Sequence, residues 1–414
     1  MLRGGSILYA IFICLLITGI SSCFVLFSFH QRSIEQKRSN YLSVLFKLKS
    51  AITLATSEEL RLEANKARGI QLFKDDARSE VRLVSSDWGL FKLIRASAAF
   101  EGKTISKHAL LGSSSLQNSD LCLYLADRNQ SLSLAGNTVI QGRALLPRAG
   151  IKRAYIEGQS FNGQLPTSSG SNSSKNLPLL NPNLDPQQQS LISGFFDNDS
   201  VLGADMLYGE AFYQPWSSKT VVYASDGRID LSNMSLGGNL ILYSRTSIDV
   251  SHCNLAGVQL IAPLISIRNN TFGQAHLLAT DSIIIKNEVN LTYPSSMCLN
   301  APATVIKPGL LIVNSSVEGD IVIHGDAKHY RNPARMSIDK KSSVTGVVYV
   351  QGQLELEGAV YGQVYTEGFS LNTASAKYSN HLLNARISRL GLPTNYLSSL
   401  ALDDSNKKIL QWLD

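Results

Sequence analysis

One phrase occurs four times in the second half of this chain, and it restricts the fold more than any other feature. Ile229-Asp230-Leu231-Ser232-Asn233 recurs as Ile248-Asp249-Val250-Ser251-His252, then as Ile265-Ser266-Ile267-Arg268-Asn269 and Ile283-Ile284-Ile285-Lys286-Asn287. The starting positions are 19, 17 and 18 residues apart. A fixed period of this size marks a stacked architecture, in which each repeat buries its inner face only against its neighbours. Side chains change face at every step of a strand, so the alternate Ile, Leu and Val point inward. The polar residue closing each phrase (Asn233, His252, Asn269, Asn287) falls where the chain must turn, and Asn tolerates left-handed backbone.

Each repeat carries two further apolar contacts. One precedes the phrase, at Val221-Val222-Tyr223, Leu240-Ile241-Leu242-Tyr243, Leu260-Ile261 and Leu277-Leu278. One follows it, at Leu236, Leu255, Phe272 and Val289. Three short strands per repeat predict a mainly β chain built around a right-handed parallel β-helix of about 18 residues per turn. The pattern lapses from Tyr293 to Pro308, read as a loop, and resumes through Val350 and on to Tyr365.

The stretch Val344-Thr345-Gly346-Val347-Val348-Tyr349-Val350 through Tyr365 resembles two turns of the bactofilins, bacterial polymer-forming cytoskeletal solenoids. That resemblance implies a structural body of the same kind.

Ile7 to Phe29 contain no charged residue. A run of that length spans a bilayer as a helix. Three readings compete: a membrane-spanning helix, a lipoprotein signal in which Ile20-Ser21-Ser22-Cys23 makes Cys23 the lipidated residue, and a cleaved secretory signal. Arg3-Gly4-Gly5-Ser6-Ile7-Leu8-Tyr9-Ala10 resembles the leader of type IV pilins and minor pseudopilins. The resemblance implies cleavage between Gly5 and Ser6. It also implies a helical stem, and Gln31 to Thr56 keep a helical rhythm through Ile34, Leu42, Leu45, Leu48 and Ile52. Most members carry Glu five residues into the mature chain, where this sequence has Ala10.

The expected organisation is a membrane anchor at 1–30, a helical stem at 31–75, a small α+β region at 76–130 and first solenoid turns at 131–165. A linker or loop insertion follows at 166–214, marked by Ser, Gly, Asn and Pro, then the β-helix at 215–375 and a C-terminal helical cap at 376–414. In the small region, Thr56-Ser57-Glu58-Glu59 reads as a capped helix start. Val81 to Val84 and Leu90 to Ile94 read as a hairpin around Ser85-Ser86-Asp87-Trp88-Gly89. The cap rests on Leu382, Leu383, Ile387 and Leu390 at helical spacing over Tyr378 to Leu390, and on Ile409, Trp412 and Leu413 in a helix over Lys407 to Leu413.

The formal net charge is +6. Much of it lies just after the apolar run, at Arg32, Lys37, Arg38, Lys47 and Lys49. No basic stripe is interleaved with aromatics, so nucleic acid is not an expected partner. The positive-inside bias would hold the main domain in the cytoplasm. A processed pilin-like leader would carry it across the inner membrane to the periplasm or exterior, which is the expectation here. Cys122, Cys253 and Cys298 lack metal-ligand spacing and read as buried thiols.

Asp230 and Asp249 occupy equivalent outward positions on adjacent repeats, about 4.8 Å apart, and are the candidates for a cation or ligand. Ser266 and Ile284 follow them, so the acidic ladder stops at two, and Arg245 and Arg268 stand ready to pair with it. The expected role is therefore a non-catalytic structural component of an envelope assembly, with no cofactor and no metal. Its partners would be the membrane and other protein subunits, or copies of itself. Binding or cleavage of a surface polysaccharide, with Tyr349, Tyr361 and Tyr365 as a sugar face, is the alternative. A cytoplasmic, membrane-linked cytoskeletal element is the third reading.

Overall fold

The computed structural model describes residues 4–57, 60, 62–72, 80–117, 119–166, 172–182, 184, 201–207, 209–325, 333–403 and 405–413. Arg3, Glu58 and Glu59 of the expected helix start, Thr167 to Ser171, Pro186 to Gln189, Asn198 and His329 lie outside them.

The apolar run and the stem as far as Leu54 form one unbroken helix, α1 (Gly4–Leu54); the stem expected to reach 75 is shorter, since Arg68–Gln71 is a strand. The 51 residues of α1 extend about 77 Å at 1.5 Å per residue. Behind it, β1 (Arg68–Gln71), β2 (Glu80–Trp88), β3 (Phe91–Phe100) and β4 (Lys103–Ser113) form an antiparallel sheet in that order. Gly89, with φ +61°, makes the first tight turn; Glu101 and Gly102, both at positive φ, make the second. Positive φ at the turn matches the twist of the strands it joins. The expected hairpin is present, with its strands running closer to the turn than the sequence suggested.

The fifth strand of this sheet is Lys407–Leu413, antiparallel to β4. This overturns the expected helix there. A register shift between Ile409 and Gln411 lets Ile409 face α1 while Leu410 and Leu413 face the opposite side. Pairing with the open edge of β4 outweighs the local helical spacing. Everything between β4 and this strand is thus an insertion between two adjacent strands.

The insertion holds a sheet of 20 strands among the described residues, nearly all paired in parallel. The recurring phrases pair with one another in register: Ile229 with Ile248, Ile248 with Ile265, Ile265 with Ile283. The column continues through Leu310, Met336, Leu354 and Phe369, all buried. Asn233, His252, Asn269 and Asn287 all have φ between +53° and +65°, as expected of corner residues. Phe272 departs from expectation: it is 53% exposed, and Gly273 takes the inward position opposite Leu255. The loop expected from Tyr293 is strand as far as Ala301.

Among the described residues the expected C-terminal helical cap does not form. Over 377–388 the chain forms strands Lys377–Ser379, His381–Leu383 and Arg386–Ser388. Asn380 and Asn384, at φ +55° and +56°, break the run as the earlier corner residues do. Leu382 and Ile387 are buried, while Leu390 is exposed.

The stack is closed instead by segments from earlier in the chain. Leu121–Leu125 pairs in parallel with 364–366, Leu132–Ala135 with His381–Leu383, and Val139–Gln141 with Arg386–Ser388. Arg143–Leu145 and Ile151–Arg153 then stack on Leu121–Leu125 and Leu132–Ala135. Residues 131–165, expected to open the stack, lie at its C-terminal end. A repeat pattern specifies what a strand can stack on, and leaves open which end of the column it joins.

Candidate functional site

The antiparallel sheet is the layer through which the long helix and the large body meet. Alternation along its strands gives it two apolar faces. Val81, Leu83, Ile94, Ala96, Ala109 and Leu111 face α1, where they meet Leu48, Ala51, Ile52 and Ala55. Those four helical positions follow the i, i+3, i+4, i+7 spacing of one buried stripe. Trp88, Phe91, Leu93 and Leu110 face the parallel body.

N-terminal to this seat the cover thins: Val44 and Leu45 are partly buried and Tyr41 meets the Phe100 ring at 5.8 Å, and the apolar run before them is exposed. The helix is long and apolar enough to cross a membrane, with a mean hydropathy of 2.6 over its most apolar window. Gly5 and Ser6 lie in its first turns, and Cys23 is exposed within the apolar run.

On the other side, the β2–β3 turn presses into the parallel body. The indole N–H of Trp88 donates to the carbonyl oxygen of Gly257 at 2.8 Å. The N–H of Leu90 donates to Ser296 Oγ at 3.2 Å, and Ser296 Oγ is 2.9 Å from His276 Nδ1. Ser296 is the register partner of both His276 and Asp320, so the polar contacts of the junction lie along one outward column. Burial lowers the pKa of His276 to about 3, which keeps the ring neutral. Asp320 is also buried, and burial raises its carboxyl although hydrogen bonds from Tyr396, Ser399 and Val347 favour the charged form. The Asp87 carboxyl, beside Lys92 at 2.6 Å, is likewise pushed up by burial, against the opposing pull of Lys92.

The neighbouring outward column is apolar: Tyr243, Ile261, Leu278, Cys298, Val322, Tyr349, Tyr365 and Tyr124 are successive partners. Residues 172–182, expected as part of a linker, lie against its end. Tyr349 donates to the Pro178 carbonyl and Tyr124 to that of Asn176. Tyr349 and Tyr365 are therefore buried, and of the expected sugar face only Tyr361 retains partial exposure.

Asp230 and Asp249 are register partners, as the repeat predicts. Arg228 reaches both, at 2.6 Å and 3.2 Å, and Arg268 reaches Asp249 at 2.8 Å. Arg245 pairs with Asp226. The acids thus belong to a chain of alternating charge on the outer face of adjacent strands, with Asp230 exposed and Asp249 largely covered by its guanidinium partners. Cys122, Cys253 and Cys298 are buried free thiols, and burial pushes Cys122 up to about 12. The sequence reading did not foresee the grouping of Trp88, Ser296, His276 and Asp320. They come from different repeats, and only the register aligns them.

No family model matches the chain, and no curated protein matches it. Among solved structures it is weakly similar to the crystal structure of the competence-associated pilin ComZ from Thermus thermophilus. The identity is 11% and the TM-score 0.24, over 85% of this chain and 87% of that one.

Proposed function

We propose that this chain is a non-catalytic structural subunit of a bacterial envelope assembly, of pilin-like plan, with a right-handed parallel β-helix as its head. The carrying observation is the seating of α1. Its last turns are clamped on one face of an antiparallel sheet, while its first 40 or so residues project uncovered. About 20 apolar residues suffice to cross a bilayer, so the run from Ile7 to Phe29 serves as the anchor. Beyond it, Leu42 and Phe46 remain exposed away from the stripe that meets the sheet, available to helices of neighbouring subunits.

The β-helix reading is supported by parallel pairing at one-repeat intervals, a continuous interior column and left-handed corners at the phrase ends. A non-catalytic role is supported by the guanidinium partners of Asp230 and Asp249. The resemblance of the leader favours cleavage between Gly5 and Ser6 and a head outside the inner membrane. Mass spectrometry of the mature amino terminus tests the proposal. A chain beginning at Ser6 is expected; intact Met1 or a lipidated Cys23 overturns the pilin-like plan.

A further inference from the structure

Three cations follow the uncharged run of α1 before the helix reaches its seat on the sheet. Arg32, Lys37 and Arg38 are all exposed, as is every residue from Ile34 to Asn40. Among the described residues none of the three forms an ion pair. Glu35, the only acid of α1, stays apart from them. The sheet is met just beyond, where the Tyr41 ring lies 5.8 Å from that of Phe100.

Their placement around the helix excludes a one-sided contact. At about 100° per residue, Arg32, Lys37 and Arg38 are separated by about 140°, 100° and 120° around the axis. A partner packed on one face of the helix would meet one or two of them. Only surroundings that encircle the helix meet all three.

Their placement along the helix matches the bilayer surface. At 1.5 Å per residue, Arg32 and Arg38 lie about 4.5 and 13.5 Å beyond Phe29, next to a polar headgroup layer about 5–8 Å thick. Helical side chains lean toward the helix N-terminus, which in α1 is the direction of the apolar run. The long stems of Lys37 and Arg38 therefore reach back toward the layer that Arg32 enters, with their charged ends in its polar part. The phosphodiester of an anionic glycerophospholipid offers such cations a net negative charge. A phosphatidylcholine headgroup carries its own cation beside the phosphate and offers less.

We propose that Arg32, Lys37 and Arg38 form a collar that gathers anionic phospholipid headgroups from the leaflet on the head side of the membrane. The inference rests on the reading of Ile7 to Phe29 as the anchor. It gives the charge that follows the span a role in lipid contact, whichever side of the membrane the head occupies.

The test reconstitutes the full chain in vesicles of equal parts phosphatidylcholine and phosphatidylglycerol, releases it in mild detergent and identifies retained lipids by native mass spectrometry. Phosphatidylglycerol should exceed phosphatidylcholine at least about threefold among them. The excess should fall by about half or more at 0.5 M salt. Each of Arg32→Gln, Lys37→Gln and Arg38→Gln should remove part of the excess, and the triple variant nearly all of it. Glutamine is a good helix former and these positions are exposed, so all variants should still float with vesicles after a carbonate wash. Failure of the unaltered chain to float would remove the anchor and the collar together; flotation without lipid preference would overturn the collar alone. An undiminished preference in the triple variant, or its complete loss in one single variant, would also overturn it. Displacement of the lipid by glycerol 1-phosphate would assign the cations to a soluble phosphate ester. A second copy of the chain retained in place of lipid would assign them to a protein contact. Either result would overturn the proposal.

Discussion

The phenolic O–H of Tyr396 donates to Oδ1 of Asp320 at 2.6 Å, joining the segment before the C-terminal strand to the buried flank of the parallel body. The N–H groups of Val347 and Ser399 donate to the same carboxylate. Two segments, the strand Ser343–Leu356 and residues 396–399, thus converge on one acid.

Replacing that acid with alanine strands three buried donors. At about 1–3 kcal/mol for each unsatisfied group, Asp320→Ala should lose at least about 3 kcal/mol in urea unfolding. Asp320→Asn, which keeps an acceptor oxygen, should lose less. The pH dependence distinguishes the two forms of the carboxyl. Its folded pKa is raised by burial, so its stabilising contribution is full below the unfolded value of about 3.9 and fades as pH rises through the folded one. The gap between wild type and Asp320→Asn should therefore narrow from acid to neutral pH. A gap that widens would contradict the assignment.

His276 should act with the opposite sign. Burial depresses its pKa from 6.5 to about 3, so between those values the unfolded chain binds the proton and the folded one does not. Its contribution is present above pH 6.5 and drains away as pH falls toward 3. His276→Gln should flatten the acid limb of the stability profile, measured by thermal unfolding from pH 7 to 4. An unchanged limb would show that other groups govern it.

Gly89 is the contact point of the β2–β3 turn. Its φ is +61°, and a Cβ there would come within 2.8 Å of His276 Cβ. Gly89→Val should cost about 1–3 kcal/mol from overpacking, together with left-handed strain. The Leu90 amide, bonded to Ser296, should then exchange hydrogen faster, because the turn lifts from the body. Unchanged protection of that amide would mean the turn is not clamped.

The helix should show two-sided behaviour. Leu48 is fully buried against the sheet, whereas Phe46 is 67% exposed. Leu48→Ala should cost about 2–5 kcal/mol, and Phe46→Ala should stay within about 0.5 kcal/mol in the isolated subunit. If Phe46 serves neighbouring helices, its loss should appear in assembly and not in the unfolding curve. Equal destabilisation by the two variants would contradict the seating of α1.

Membrane orientation can be read by thiol labelling at an introduced site. Cys253 and Cys298 are buried and should stay unlabelled in the folded protein, while Tyr155 is 71% exposed. Tyr155→Cys should react with an impermeant maleimide added to intact cells whose outer membrane has been permeabilised. Labelling only after inner-membrane lysis would place the head in the cytoplasm.

The repeat was legible because strand periodicity and corner chemistry agreed at each phrase. Ile248 and Ile265 are interior, and Asn269 is left-handed, as the pattern required. The long helix was legible from an uncharged run followed by a buried stripe. The tail was misread for a specific reason: Leu382, Leu383 and Ile387 satisfy a helical template, and only Asn380 and Asn384 betray the corners between three short strands. At Lys407–Leu413, local spacing could not reveal that β4, almost 300 residues earlier, offered an open edge. The junction was the least legible. Trp88 and Trp216 share no spacing, and their contact depends on how the insertion folds back on its host sheet.

The pairing of Leu121–Leu125 with residues 364–366 and of Val139–Gln141 with Arg386–Ser388 has a consequence for biogenesis. During translation, the segment that seals the far end of the stack emerges more than 200 residues before the strands it must cover. It must wait as an exposed apolar ribbon, vulnerable to wrong partners, until nearly the whole polypeptide has been made. A truncated product would lack the landing place for its own lid, so only a finished chain can shut.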